Sequence, residues 1–155
     1  MIILIKIKKS QLVKFFYLYN NIIMIVKKKL VELDIEEREE INCLILSCFI
    51  NSRLESYDEI IFYLFEDTII GFIGLNIDIN FININQLCVK YNYRNKGIAT
   101  KLLKYIEEFS TTNLILYVDK NKNNTEELYN FYLKRGYTAE ENEIEYKMIL
   151  NNINI

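Results

Sequence analysis

Residues 87–99 read Leu87-Cys88-Val89-Lys90-Tyr91-Asn92-Tyr93-Arg94-Asn95-Lys96-Gly97-Ile98-Ala99. This is an apolar run, a short turn with a basic, glycine-containing tail, and the first turn of an amphipathic helix. A strand that feeds a helix through such a turn aims several free backbone N–H groups at one spot, and the helix dipole adds partial positive charge there. The stretch therefore predicts an anion site, most simply for a phosphate or pyrophosphate. No Gly-Lys-Ser/Thr closes the turn, and its glycines do not fit G-x-G-x-x-G, so neither a P-loop nor a dinucleotide fingerprint is predicted. Gly97 suits a backbone that approaches a ligand closely or takes positive φ. Ala99 keeps the following helical turn low.

The rest of the chain reads as a scaffold for that turn. Ile98, Leu102, Leu103, Ile106 and Phe109 give the helix one apolar face, and residues 114–118 (Leu-Ile-Leu-Tyr-Val) form a short buried strand. Strand, helix and strand in this order imply a parallel pair joined by a crossover. Upstream, three apolar runs at 60–65, 69–75 and 81–89 predict an antiparallel meander, with turns at Glu66-Asp67 and 77–80. Gly71 and Gly74 inside the second run mark a bulge or a close backbone approach. Before the meander, residues 25–33 read as a first strand. Asp34 then caps a helix with Glu37 as its capping-box partner, and Ile41, Leu44, Ile45, Cys48 and Phe49 form its apolar stripe. After residue 118, Asn124 is placed to cap a helix with Glu127 as its partner. Gly136 ends that helix, and Tyr137-Thr138 and 144–150 supply the last strands.

At 155 residues the chain predicts one domain with a real core. The seven lysines of residues 1–29 have no acid among them, which leaves −9 for the rest of a chain whose net charge is −2. The acidic body argues against nucleic-acid binding as the main activity. Residues 15–26 are too short and too polar in the middle to span a membrane. Residues 1–23 are expected to be an extension, or an amphipathic helix covering a sheet edge, ahead of a domain at 24–155. There is no histidine, which removes the usual neutral-pH base and the commonest metal ligand, and no metal is expected. Cys43, Cys48 and Cys88 have no metal-site spacing and read as reduced, buried core residues of a cytoplasmic protein.

Two signatures carry a resemblance. Leu87-x-Val89 followed by Arg94-Asn95-Lys96-Gly97-Ile98-Ala99 resembles the acetyl-CoA motif of the GNAT N-acetyltransferase superfamily. Phe131-Tyr132-Leu133-Lys134-Arg135-Gly136-Tyr137 is similar to that family's second signature, an aromatic–Tyr helix closing at Gly–aromatic. The element order from Met24 to about Leu150 matches as well. The resemblance implies an α+β (α/β), three-layer GNAT-like fold, with a mixed, mostly antiparallel central sheet flanked by helices.

It also implies chemistry. Acetyl-CoA is the co-substrate, and a small-molecule or peptide amine attacks its thioester directly in a ternary complex. Leu87, Cys88 and Val89 line the donor. The backbone of Asn95, Lys96, Gly97, Ile98, Ala99 and Thr100 cradles the pyrophosphate, and Arg94 and Lys96 add charge. The N–H of Cys88 or Val89 is the oxyanion donor. Tyr132 matches the general acid for the CoA thiolate, with Tyr129 as its local competitor. The family's pantetheine-binding Asn falls at Thr125, one residue after Asn124, and Asn124 is preferred because it also caps the helix. No base is identified. The strand carries Asn83, Asn85 and Gln86 where a Glu is common in the family, and Glu55, Asp58 and Glu59 are the nearest loop carboxylates. The chain is expected to act as a monomer or homodimer. A non-catalytic acyl-CoA-binding or interaction module on the same fold is the alternative.

Overall fold

The expected meander forms the middle of the sheet. The computed structural model describes residues 14–18, 21–49 and 53–152. Strands β3 (Glu59–Phe65), β4 (Thr68–Ile77) and β5 (Phe81–Val89) pair antiparallel in sequence order. Glu66 and Asp67 make the first turn, both at positive φ. Helix α2 (Ile98–Phe109) then leads to β6 (Asn113–Asp119), which pairs parallel to β5. Helix α3 (Thr125–Lys134) is followed by β7 (Thr138–Glu141) and β8 (Glu145–Leu150), and β8 inserts between β6 and β7. With β1 (Lys14–Leu18) and β2 (Asn21–Lys29) at the other edge, the described residues form a sheet of eight strands in the order β1-β2-β3-β4-β5-β6-β8-β7. β5 and β6 are its one parallel pair among the described residues.

Alternation along the strands feeds two cores. On one face Ile60, Phe62, Phe72 and Cys88 pack against Ile41, Leu44 and Ile45 of α1 (Ile35–Cys48). On the other, Ile61, Ile73 and Val89 pack against Ile98, Leu102, Leu103 and Ile106 of α2 and Tyr132 of α3. The result is a mixed, mostly antiparallel sheet flanked by helices. Both glycines of β4 mark close approaches. A Cβ on Gly74 would lie 2.5 Å from the Tyr57 ring, and one on Gly71 would lie 3.1 Å from the Cys88 carbonyl oxygen.

Several expectations change. Residues 14–18 form a strand at the sheet edge rather than a covering helix, because their aromatic run pairs with β2. Residues 1–13 lie outside the described residues. The first strand runs from 21 to 29 and gives way to a 3-10 turn at Leu30–Glu32, so Met24 lies inside β2. Two lysines of the basic segment are used internally, Lys27 with Glu59 and Lys28 with Glu37, each at 2.6 Å. Asp34 and Glu37 form the expected capping box, whereas Asn124 makes no side-chain cap.

The cysteine reading is also corrected. Cys48 and Cys88 form a disulfide, with Cα atoms 6.3 Å apart, because the end of α1 lies over the end of β5. Cys43 is free and exposed. The 40-residue separation hides that pairing from the sequence.

Candidate active site

The site begins where the parallel pair comes apart. β5 and β6 are paired only at Phe81–Asn113, Ile82–Leu114 and Asn83–Ile115. β5 continues to Val89 and β6 to Asp119, each held by its other neighbour, β4 or β8. A register shift that leaves Asn85 unopposed on β5 falls where the strands diverge, and a bulge there adds bend and twist. The outcome is a V-shaped cleft open toward the C-terminal ends of both strands.

Strand alternation decides which backbone groups face the cleft. Lys90 N–H donates to Ile70 O at 2.8 Å, so the preceding N–H groups alternate, with Cys88 N–H toward β4 and Val89 and Leu87 N–H into the cleft. On the other wall Lys120 N–H donates to Ile144 O at 2.9 Å, which turns the N–H groups of Asp119 and Tyr117 inward. The carbonyls at the mouth are already engaged. Val89 O accepts from Arg94 Nε at 2.9 Å and Asp119 O accepts from Thr125 Oγ1 at 2.6 Å.

The turn joining β5 to α2 lies at the cleft mouth. Asn95 and Gly97 both take left-handed conformations, at φ 59° and 74°. Gly97 is the N-cap of α2 and no side chain caps that end. The first-turn donors of Ile98, Ala99 and Thr100 thus have no side-chain cap, and among the described residues, its two chain neighbours apart, none comes within 4 Å of where a Gly97 Cβ would stand. Lys96 is exposed, with Nζ 5.2 Å from the centre of the Tyr93 ring. This donor set, backbone N–H groups plus a lysine at an open helix start, fits a phosphate group.

Arg94 is placed differently from its neighbours. Its guanidinium turns to the α1 side, 3.6 Å from Cys48 Sγ and over the Tyr91 ring. There it lines a groove of about 750 Å³ with Glu39, Glu40, Lys90 and Tyr91. Asn124 is exposed at the start of α3, and the Thr125 hydroxyl is turned back onto the loop carbonyls of Asp119 and Lys122.

Tyr132 is buried in the same core cluster as Val89 and Val118, one from each diverging strand. Its ring lies edge-on between Phe131 and Tyr137, at 5.2 and 5.4 Å. Burial pushes its pKa up to about 12, Arg135 draws it down, and Glu107 adds to the rise. Tyr137 is raised further, first by burial and then by the Glu107 carboxylate. The Tyr137 hydroxyl makes no well-formed hydrogen bond among the described residues, yet it lies in that carboxylate's field. Tyr129 is only partly buried at the margin of the same cluster, its ring tilted against that of Tyr146 at 4.5 Å.

The opposite wall of β5 is built of amides. Asn83 Nδ2 donates to Asn85 Oδ1 at 3.0 Å, Asn85 donates to Asn76, and the Tyr57 hydroxyl donates to Gln86 Oε1. Of the loop carboxylates, Asp58 accepts from Ile77 N–H at 2.8 Å, Glu59 is paired with Lys27, and Glu55 is exposed. Sequence reasoning missed the carbonyl caps by Arg94 and Thr125 and the Tyr57–Gln86 bond, none of which has a spacing signal. No group of three or more potential metal ligands occurs among the described residues.

A parallel pair that opens beside an uncapped helix start, within an otherwise antiparallel sheet, defines a fold of the GNAT type. Residues 57–139, more than half of the chain, match the acetyltransferase (GNAT) domain family, and the chain belongs to that family. Solved structures share the fold at low identity. A putative GNAT-family acetyltransferase from Bacteroides thetaiotaomicron superposes with TM-score 0.69 at 18% identity, covering 83% of this chain and 88% of that one. Arabidopsis thaliana Naa50, in complex with the bisubstrate analogue CoA-Ac-MVNAL, gives 0.63 at 15% identity, covering 82% and 98%. The PaiA N-acetyltransferase from Thermoplasma acidophilum, in complex with coenzyme A, gives 0.56 at 20% identity, covering 82% and 98%. No curated protein sequence matches the chain. Among the described residues no helix is long and apolar enough to cross a membrane.

Proposed function

We propose that this protein is an N-acetyltransferase that moves an acetyl group from acetyl-CoA to a primary amine by direct attack in a ternary complex. The observation that carries the reading is the early divergence of β5 and β6 beside the open start of α2. The pyrophosphate is held by the backbone of residues 95–100 with Lys96 beside it. Arg94 contributes by fixing the Val89 carbonyl and the turn, rather than as a phosphate ligand. The pantetheine arm extends along the cleft against the inward N–H groups of Leu87, Val89, Tyr117 and Asp119.

Val89 N–H, rather than that of Cys88, is the oxyanion donor, because only the former points into the cleft. A fixed donor of this kind is worth about 3 kcal/mol in the transition state. The amine attacks the thioester carbonyl, the C–S bond breaks, and Tyr132 gives its proton to the leaving thiolate. A phenol raised to about 12 stays protonated across the working pH range, as this role requires. Asn124, exposed at the α3 start, remains available to the donor's arm, whereas the Thr125 hydroxyl is engaged. The peptide-bearing analogue bound by Naa50 supports a peptide among the candidate acceptors.

An acetyl-transfer screen over small amines, polyamines and peptides, read by mass, tests the activity. Tyr132→Phe is expected to lower kcat by about a hundredfold with little change in acetyl-CoA affinity. Equal turnover by mutant and parent at saturating substrate would remove Tyr132 from the mechanism. The amide wall of β5, which has no carboxylate to take the amine's proton, favours a second reading as a non-catalytic acyl-CoA-binding module. A thermal shift with acetyl-CoA but no turnover on the whole panel would select it.

A further inference from the structure

Two half-buried charges stand behind Tyr132 that the reaction described so far does not use. Arg135, the C-cap of α3, directs Nε to Glu107 Oε1 at 3.0 Å and its terminal nitrogen to Oε2. The two side chains are 16% and 15% exposed. Glu107 lies in the last turn of α2, the helix that starts at the anion turn. The pair thus ties the donor-binding helix to the helix that carries the phenol. The guanidinium also lies over the Phe131 ring at 5.5 Å, and Phe131 in turn meets Tyr132 edge-on. The Tyr132 carbonyl accepts from both Arg135 N–H, at 3.0 Å, and Tyr137 N–H, at 3.2 Å.

Taking an ion pair out of water costs about as much as the attraction returns, so stability alone gives this pair little reason to exist. A buried phenol that must part with a proton gives it one. We propose that the Glu107–Arg135 pair is a positioning element for Tyr132, with the guanidinium placed to compensate the phenolate that forms during transfer.

This rests on the reading of Tyr132 as the acid. In that step the Tyr132 O–H bond breaks and an S–H bond forms on the thiolate released by C–S cleavage. The O–H electron pair stays on the phenolate, and the proton shed by the attacking nitrogen restores the phenol. Arg135 exchanges no proton. Glu107 holds the planar fork in one orientation through two parallel bonds. The opposed influences of the two charges on the phenol, Arg135 easing its ionisation and Glu107 resisting it, fit this arrangement.

The test is a double-mutant cycle, with acetyl transfer to an acceptor found in the screen as the readout. Arg135→Gln in the parent is expected to lower kcat about tenfold, with KM for acetyl-CoA moved less than about twofold. The same substitution in Tyr132→Phe is expected to leave kcat where Tyr132→Phe alone puts it. Equal losses in both backgrounds would overturn the proposal while leaving the acid role intact. Full kcat in Tyr132→Phe alone would overturn the acid role and the proposal with it.

The charge swap Glu107→Arg with Arg135→Glu separates positioning from packing. It is expected to recover the thermal midpoint without recovering kcat, and recovery of both would count the pair as structural. Arg135→Lys keeps the charge without the fork. It carries the cycle if Arg135→Gln does not fold, with a smaller loss of kcat expected in the parent and none in Tyr132→Phe.

Discussion

Gly97 has φ 74° and open space where its side chain would be, so conformation rather than crowding selects the residue. Gly97→Ala is expected to cost about 1 kcal/mol of stability through the left-handed backbone. Gly97→Glu places a carboxylate among the α2 first-turn donors and is expected to abolish CoA binding. Calorimetry showing an unchanged Kd for the Glu variant would count against the turn as a phosphate cradle. The sequence pointed to this glycine because a turn between strand and helix has few ways to close. It was less informative about Arg94. Two basic residues flank Asn95, look alike in sequence and are both exposed, yet Arg94 folds back onto the Val89 carbonyl and toward Cys48 while Lys96 lies over the Tyr93 ring. Which way a side chain turns depends on the carbonyl it finds, and the alternation of β5 sets that.

The elements differ in how plainly they could be read. The β3–β4–β5 meander was legible because each run is short, apolar and bounded by turn residues, and α1 was legible from its capping box. β1 was not, since a strand at an edge needs only a partner and shows no distinctive periodicity. The contact of α1 with β5 was also hidden, because it depends on how the helix lies across the sheet. There the Cys48–Cys88 disulfide closes a loop with a sequence separation of 40. A cross-link of that span is worth about 4 kcal/mol by loop-closure entropy. Reduction by dithiothreitol is expected to lower the thermal midpoint by roughly 10 °C, and Cys48→Ser should match the reduced protein. An unchanged midpoint on reduction, with both thiols shown to be alkylatable, would show that the bond contributes nothing to stability.

At the scale of the molecule, four of the described tyrosines tie the fold to proton concentration. Tyr57 and Tyr132 are raised to about 12 by burial, Tyr137 is raised beyond them, and burial raises Tyr105 as well. In the unfolded chain a phenol ionises near about pH 10. Folding favours the protonated form of all four, so the stability they contribute is complete below about pH 10 and is lost as the pH rises through the raised values, about 12 for Tyr57 and Tyr132. The thermal midpoint should therefore fall across that window, and of the 12 tyrosines Tyr57, Tyr105, Tyr132 and Tyr137 should show the phenolate absorbance later than an exposed phenol does. Midpoints that hold steady to pH 12 would contradict their burial.

The layout of the whole, a mixed sheet between helices, was legible from element order and from the two signatures together. The exact end of the β5–β6 ladder was not, because it depends on a single unopposed residue, Asn85. That divergence has a cost of its own. Outer edges of a sheet are commonly blunted with charge, and β7 carries Glu140 and Glu141, both exposed. The cleft is an edge inside the sheet, with a ladder offered from each wall, so any extended segment of suitable length meets the same bonds as those proposed for the donor's amide-bearing arm. Its taper toward Asn83 and the two occupied carbonyls at its mouth limit what can lie there. Among the described residues no strand fills that gap, so the same divergence that shapes the cleft leaves two strand edges facing each other within the sheet.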